Sequence, residues 1–223
     1  MLVVKNLSKS FIQRGSVLNN LFLEVKEGDT VAIMGPSGSG KTTLLNIIGM
    51  LEKPDEGEVL FRGESVLSYD SDASARYRNK NIGFVFQDHM LLPHLTVSEN
   101  IHLPLLAGDL NADELTEKEK SIKNLMEKTS ILDLADKYPS NISGGEAQRV
   151  ALVRSLANGP SILLADEPTG SLDTGNAENL GELLLEMNRQ TGITIILATH
   201  SPALAEKMAR RMKLEDGLLT EVN

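Results

Sequence analysis

The chain has 223 residues, 41% hydrophobic and 24% charged, enough to bury a real core in one generous domain or in a core with an attached subdomain. Its 31 acidic and 22 basic residues leave a net charge of −9, which argues against a general nucleic-acid binder, although a local basic patch is still allowed. No cysteine is present, which excludes disulfides, thiolate metal sites and cysteine nucleophiles and fits a reducing cytoplasm.

The opening MLVVKNLSKSF lacks the apolar core of a signal peptide, and no apolar run approaches the ~18 residues that span a bilayer. Any membrane role therefore calls for a separate membrane partner. Residues 2–31 read as strands, LVVKNLSKSF and then VLNNLFLEV, with Lys26-Glu27-Gly28-Asp29 as a turn. Phe11 stands out by position, upstream of the glycine-rich turn described next. An aromatic there can stack on a base, but a lone phenylalanine more often belongs to a core.

The apolar run Val31-Ala32-Ile33-Met34 leads into Gly35-Pro36-Ser37-Gly38-Ser39-Gly40-Lys41-Thr42, followed by Thr43 and by Leu44, Leu45, Ile47 and Ile48 at helical spacing. Strand, glycine-rich turn and helix match G-x-x-x-x-G-K-[ST] in full, the pattern of a loop whose backbone N–H groups cradle phosphates. Lys41 is placed to reach the β- and γ-phosphates, Thr42 to ligate Mg²⁺, and the helix adds its positive end to the same anion site.

Pro54-Asp55-Glu56-Gly57 turns into a strand at 58–62, Gly63-Glu64 turns again, and Tyr69–Ala73 starts a helix. The run Ile82–Phe86 ends at Gln87, which is either a solvated strand end or a side-chain oxygen able to touch Mg²⁺ or an attacking water. Residues 88–158 turn helical, without strand runs. Within them Met90 to Leu106 carries much apolar surface on a segment broken by Pro93 and Pro104; it either docks a partner or packs inward. Thr116-x-x-Glu119 predicts a capping box for a helix with Ile122, Leu125 and Met126 on one face, ending near Ser130.

Ser143-Gly144-Gly145-Glu146 opens another helix. A capping box accounts for Ser143 and Glu146, but adjacent glycines suit backbone amides that must approach an anion closely. Ile162–Ala165 is a buried strand with Asp166 and Glu167 at its carboxyl end, where ligands of parallel sheets bind. Asp166 there can hold Mg²⁺, while Glu167 can polarise an attacking water. A turn through Asp173 leads to a helix with Leu180, Leu183, Leu184 and Met187 on one face. Ile193–Thr199 is a last buried strand ending at His200, placed to contact a γ-phosphate; Pro202 starts a helix and Asp216-Gly217 turns a closing hairpin.

In this order and spacing the phosphate loop, Gln87, ISGGE, LLADE, SLD and His200 resemble the ATPase subunit of an ABC transporter over nearly the whole chain. The resemblance implies an α/β fold, a P-loop NTPase core of ABC type with an N-terminal antiparallel β subdomain and an inserted α-helical subdomain at about 88–158, all one ATPase domain over 1–223. It implies hydrolysis of ATP with Mg²⁺ in a head-to-tail dimer of two copies. Each ATP would lie on one copy's phosphate loop and under the other's Ser143–Glu146, with Asp173 nearby and Phe11 stacked on adenine. Ile142 and Glu146 depart from the more familiar Leu and Gln of the signature. The second change puts a side-chain role there in doubt but leaves the glycine backbone role intact.

Within the family, RNKNIGFVFQDHMLLPHLTVSENIHLPLL and ADEPTGSLD are similar to the lipoprotein-releasing and macrolide-exporter group, with the cell-division ATPase as the near alternative. This implies integral membrane partners and a peripheral place on the cytoplasmic face of the inner or cell membrane. A soluble ABC ATPase of the iron–sulfur assembly type is the rival from another class. A nucleotide switch without turnover is disfavoured by the intact Glu167 and His200.

Overall fold

The computed structural model describes residues 1–108 and 110–222. Six strands form the central sheet: β3 (Thr30–Met34), β6 (Ile82–Val85), β7 (Ile162–Asp166), β8 (Thr194–Thr199), β9 (Arg210–Glu215) and β10 (Leu218–Val222), ordered β10-β9-β3-β8-β7-β6. All neighbours are parallel except the terminal hairpin β9–β10, closed at Asp216-Gly217 as the turn signal predicts. Parallel strands covered on both faces read as unbroken apolar runs because alternate side chains serve different cores. Ala32, Leu163, Ala165, Ile195 and Leu197 face one core, packed by the helices. Val31, Ile33, Ile162, Leu164, Ile196 and Ala198 face the other.

The second core is closed by an antiparallel sheet of β1 (Leu2–Phe11), β2 (Gly15–Val25), β4 (Glu56–Phe61) and β5 (Glu64–Ser65), ordered β2-β1-β4-β5, and by α1 (Lys41–Ile48). β1 buries Leu2 and Val4, then Leu7, so its inward phase slips by one residue. The slip falls at Asn6, left-handed at φ 50°, where the pairing with β2 also shifts register. A bulge of this kind lets a strand that starts out of phase keep one apolar face.

From residue 86 to 161 the described chain contains helices and loops but no strand, in line with the sequence reading. α2 (Ser71–Asn81) precedes β6; α3 (Val97–Leu106), α4 (Ala112–Lys128) and α5 (Gly144–Leu156) follow it. α6 (Thr174–Thr191) and the short α7 (Pro202–Glu206) flank β8. One expectation is corrected. The capping box of α4 is Asn111 with Glu114, not Thr116 with Glu119, so the helix starts about one turn earlier. Thr116 lies inside it, its hydroxyl donating to the Ala112 carbonyl at 2.9 Å. Two capping templates stand in tandem, and the upstream one extends the helix while Ile122, Leu125 and Met126 stay buried on one face.

The Met90–Leu106 stretch divides between its two readings. Leu91, Val97, Ile101 and Leu105 are buried, whereas Met90, Leu92 and Leu106 are 61%, 48% and 82% exposed. Asn100, fully buried, organises the loop ahead of α3: its Oδ1 accepts from the Leu92 N–H at 2.8 Å, and its Nδ2 donates to the carbonyls of Leu92, Leu95 and Thr96.

Candidate functional site

Register brings four strand ends to one level. Met34 pairs with Thr199, Asp166 with Ala198, and Val85 with Ala165, so Gly35, His200, Glu167 and the Gln87 segment all leave the sheet on the same edge. There they bound a cleft of roughly 660 Å³. The loop contributes Ser37, Gly38, Gly40, Lys41, Thr42 and Thr43; the strand ends contribute Gln87, Asp166, Glu167 and His200. Arg14 and Val17 complete the lining. They come from the turn after β1 and the start of β2, and the sequence marks neither, since they belong to no motif.

The loop is shaped for an anion. Gly38 and Gly40 take φ of 81° and 103°, backbone that side chains rarely adopt. Gly40 is the N-cap of α1, which has no side-chain cap and no acid in its first turn, so the first N–H groups stay available to a ligand. Buried Lys41 folds over the loop, its Nζ donating to the carbonyls of Gly35 at 2.8 Å and Pro36 at 3.2 Å. Ser39 N–H donates to Pro36, and the Ser39 hydroxyl is buried without a partner.

Glu167 is held in an uncommon conformation. Its φ of 47° is left-handed, which for a non-glycine residue costs about 1–3 kcal/mol. Its N–H donates to the Ala198 carbonyl and its carbonyl accepts from Gly170, both at 2.9 Å. The carboxylate is thereby turned into the cleft: Oε2 accepts from the His200 N–H at 3.0 Å and lies 2.8 Å from His200 Nδ1, while Oε1 is 3.7 Å from Lys41 Nζ. Strain of this kind persists where the surroundings over-determine a side chain's position, commonly at functional sites.

Beside it, Asp166 Oδ1 is buried with no hydrogen-bond partner. Burial pushes the Asp166 carboxyl above its ordinary pKa; the Thr42 hydroxyl opposes this, Glu167 adds to it and Lys41 offsets it. A buried carboxylate oxygen without a partner fits a cation ligand. Among the described residues no group of three or more His, Cys, Asp or Glu could hold a metal alone. Thr42, Asp166 and Gln87 line the same cleft and carry hard oxygen donors of the kind Mg²⁺ takes.

The other expected residues lie elsewhere in the single chain. Phe11 does not line the cleft; Lys9 Nζ sits 5.2 Å from the centre of its ring. Ser143 caps α5, and Glu146 returns the bond: its Oε2 accepts from the Ser143 N–H at 2.7 Å and the Ser143 hydroxyl at 2.8 Å. The Ser143 N–H and then its hydroxyl hold the Glu146 carboxyl below its ordinary pKa. So Glu146 has the capping role that Ser143-x-x-Glu146 predicts. Gly144 is exposed with open space around it, whereas a side chain at buried Gly145 would meet Asn176 Oδ1 at 2.8 Å. Asp173 caps α6, accepting from the Asn176 N–H at 3.0 Å.

The ABC transporter family model matches residues 18–170. The lipoprotein-releasing system ATP-binding protein LolD 1 of Rhodopirellula baltica is 44% identical over 98% of this chain and 96% of its own length. LolD of Syntrophus aciditrophicus is 44% identical over 97% of each chain, and that of Myxococcus xanthus 41% over 99% of each. Among solved structures, the dimeric ATP-binding cassette MJ0796 in a post-hydrolysis state bound to ADP and Pi superposes with a TM-score of 0.87 at 39% identity, covering 100% of this chain and 98% of that one. With the phosphate loop and the acidic strand end in one cleft, the chain belongs to the ABC transporter family, as an ATP-binding subunit that hydrolyses ATP.

Proposed function

We propose that this ATPase powers a lipoprotein-releasing transporter from the cytoplasmic face of the membrane, as two copies bound to integral membrane subunits. The names of the relatives support the cargo class, and near-complete coverage of both partners in each alignment supports the transfer. No helix among the described residues is long and apolar enough to cross a membrane, so anchoring falls to the partner. The dimeric neighbours support pairing; in this reading Ser143–Glu146 and Asp173 of one copy face ATP held by the other. Exposure of Ser143 and Gly144 suits that role. In this reading the whole chain is one ATPase domain, with residues 88–158 as its helical part, and Phe11 receives the adenine.

The observation that carries the chemistry is the left-handed Glu167, whose carboxylate is fixed by His200 beside the phosphate loop. The loop amides and Lys41 bind the β- and γ-phosphates. Gln87 and Glu167 orient a water on the γ-phosphorus; as its oxygen bonds to phosphorus and the β–γ bridging bond breaks, the water's proton passes to the Glu167 carboxylate. His200 keeps that carboxylate aimed. Mg²⁺, when bound, would be held by Thr42, Gln87 and Asp166 and would neutralise charge on the phosphates.

Glu167→Gln keeps the side chain's size but removes the base. Phosphate release should fall by about 10²–10⁴-fold, with ATP binding kept. Near wild-type release from this variant would remove Glu167 from the role.

A further inference from the structure

Gln87 is seated from behind by the helix that begins at Ser143. Two side chains of α5 hold the backbone on either side of it. Gln148, 1% exposed, donates from Nε2 to the Phe86 carbonyl at 2.7 Å. Arg154 donates from its two terminal nitrogens to the carbonyls of His89 at 2.8 Å and Met90 at 2.7 Å. Met90 is left-handed at φ 52°, which turns these successive carbonyls toward one guanidinium. A planar fork that reaches two fixed acceptors is a use that only arginine serves.

Close packing makes this link stiff. A side chain at Gly83 of β6 would stand 2.5 Å from the Ser155 carbonyl of α5, so helix and strand touch backbone to side-chain-free backbone. Arg154 and Gln148 are therefore carried by a rigid element whose other end, roughly 16 Å from Arg154 at 1.5 Å per residue, is the capped Ser143–Glu146 turn.

We propose that Gln148 and Arg154 are positioning residues that lock the Gln87 segment to α5, so that whatever seats on Ser143–Glu146 moves Gln87 in this chain's own cleft. The proposal rests on the two-copy reading above, in which the occupant of Ser143–Glu146 is the ATP held by the second copy. ATP in one cleft then sets the position of Gln87 in the other, through one helix and three hydrogen bonds.

The absence of cysteine allows a single spin label to be placed at Leu92→Cys, an exposed position just beyond the Arg154 contacts. In the Glu167→Gln background Mg-ATP should change the label's mobility as the dimer forms on size exclusion. With Arg154→Lys or Gln148→Met added, the dimer should still form, but at least half of the mobility change should be lost. Without the spin-label background, the same two variants should lose about 10–100-fold in kcat per bound ATP while KM for ATP stays within about threefold. A merely structural role would lower the folded fraction without splitting kcat from KM. Should Arg154→Lys not fold, the near-isosteric Gln148→Met carries the test. Variants that dimerise, report the full mobility change and keep kcat would overturn the proposal and leave the two-copy reading standing. A parent chain that never dimerises with Mg-ATP would sink both.

Discussion

At the scale of single residues, the cleft spends stability to hold chemistry. Asp166 is the clearest case, because burial raises its carboxyl pKa and one oxygen has no partner. A carboxylate raised on folding binds more protons in the native state, so its cost is absent below the unfolded pKa and complete above the raised native one. Asp166→Asn should therefore raise the melting temperature of the nucleotide-free chain at neutral pH, because the charge that burial disfavours is gone. The gain should shrink as pH falls through the carboxylate range. Differential scanning fluorimetry across pH 4–8 reads this directly; a variant less stable than wild type at neutral pH would contradict it. The same substitution should weaken the Mg²⁺ dependence of hydrolysis, since a charged oxygen ligand is lost. That Asp166 and Glu167 reach the cleft was legible because two acids stand at the carboxyl end of a buried strand. The left-handed backbone that aims Glu167 was not, because nothing in the identity of a glutamate signals positive φ.

At the scale of elements, strands were easier to read than helix starts. Ile162–Asp166 and Thr194–Thr199 are apolar on both faces and so cannot be mistaken for surface. α4 has two capping templates in tandem, and local pattern does not choose between them. α5 posed a different difficulty: Ser143 and Glu146 satisfy each other across a capping box, and of its two glycines only Gly145 is needed for packing, for its approach to Asn176. Ser143→Ala should thus act twice, lowering stability by about 1 kcal/mol through the lost cap and abolishing turnover while a single copy still binds ATP. Loss of binding by the monomer would place the motif in its own cleft instead. Asn100 has no sequence signal beyond its polarity, yet it satisfies four backbone groups ahead of α3. Asn100→Leu should lower the melting temperature, leaving several backbone groups unpaired at about 1–3 kcal/mol each where water cannot replace the amide. Unchanged melting would mean that the loop re-pairs without it.

At the scale of the whole molecule, exposed apolar surface continues outward from the cleft. Gln87 is followed within a few residues by Met90 and Leu92, both well exposed, on a loop whose inner side is fastened by Arg154 and Asn100. A loop that touches the cleft at one end and offers leucine and methionine to solvent at the other suits a cytoplasmic helix of the membrane subunits proposed above. Leu92→Asp should abolish co-purification with those subunits while ATP binding by the isolated chain persists, since Leu92 lies outside the cleft. Retained co-purification would move the dock elsewhere. Only part of this surface was legible beforehand, because whether Leu91 or Leu92 turns inward depends on the tertiary packing of α3 and α5 and not on local pattern.

The need for a second copy in hydrolysis follows from the two-copy proposal, since Ser143–Glu146 does not line the chain's own cleft. It is tested most directly by phosphate release measured against protein concentration, with light scattering recorded at each point. Shared sites predict a specific activity that rises with concentration when dilute and levels off as ATP-bound dimer accumulates. A specific activity independent of concentration, with monomer throughout, would contradict it.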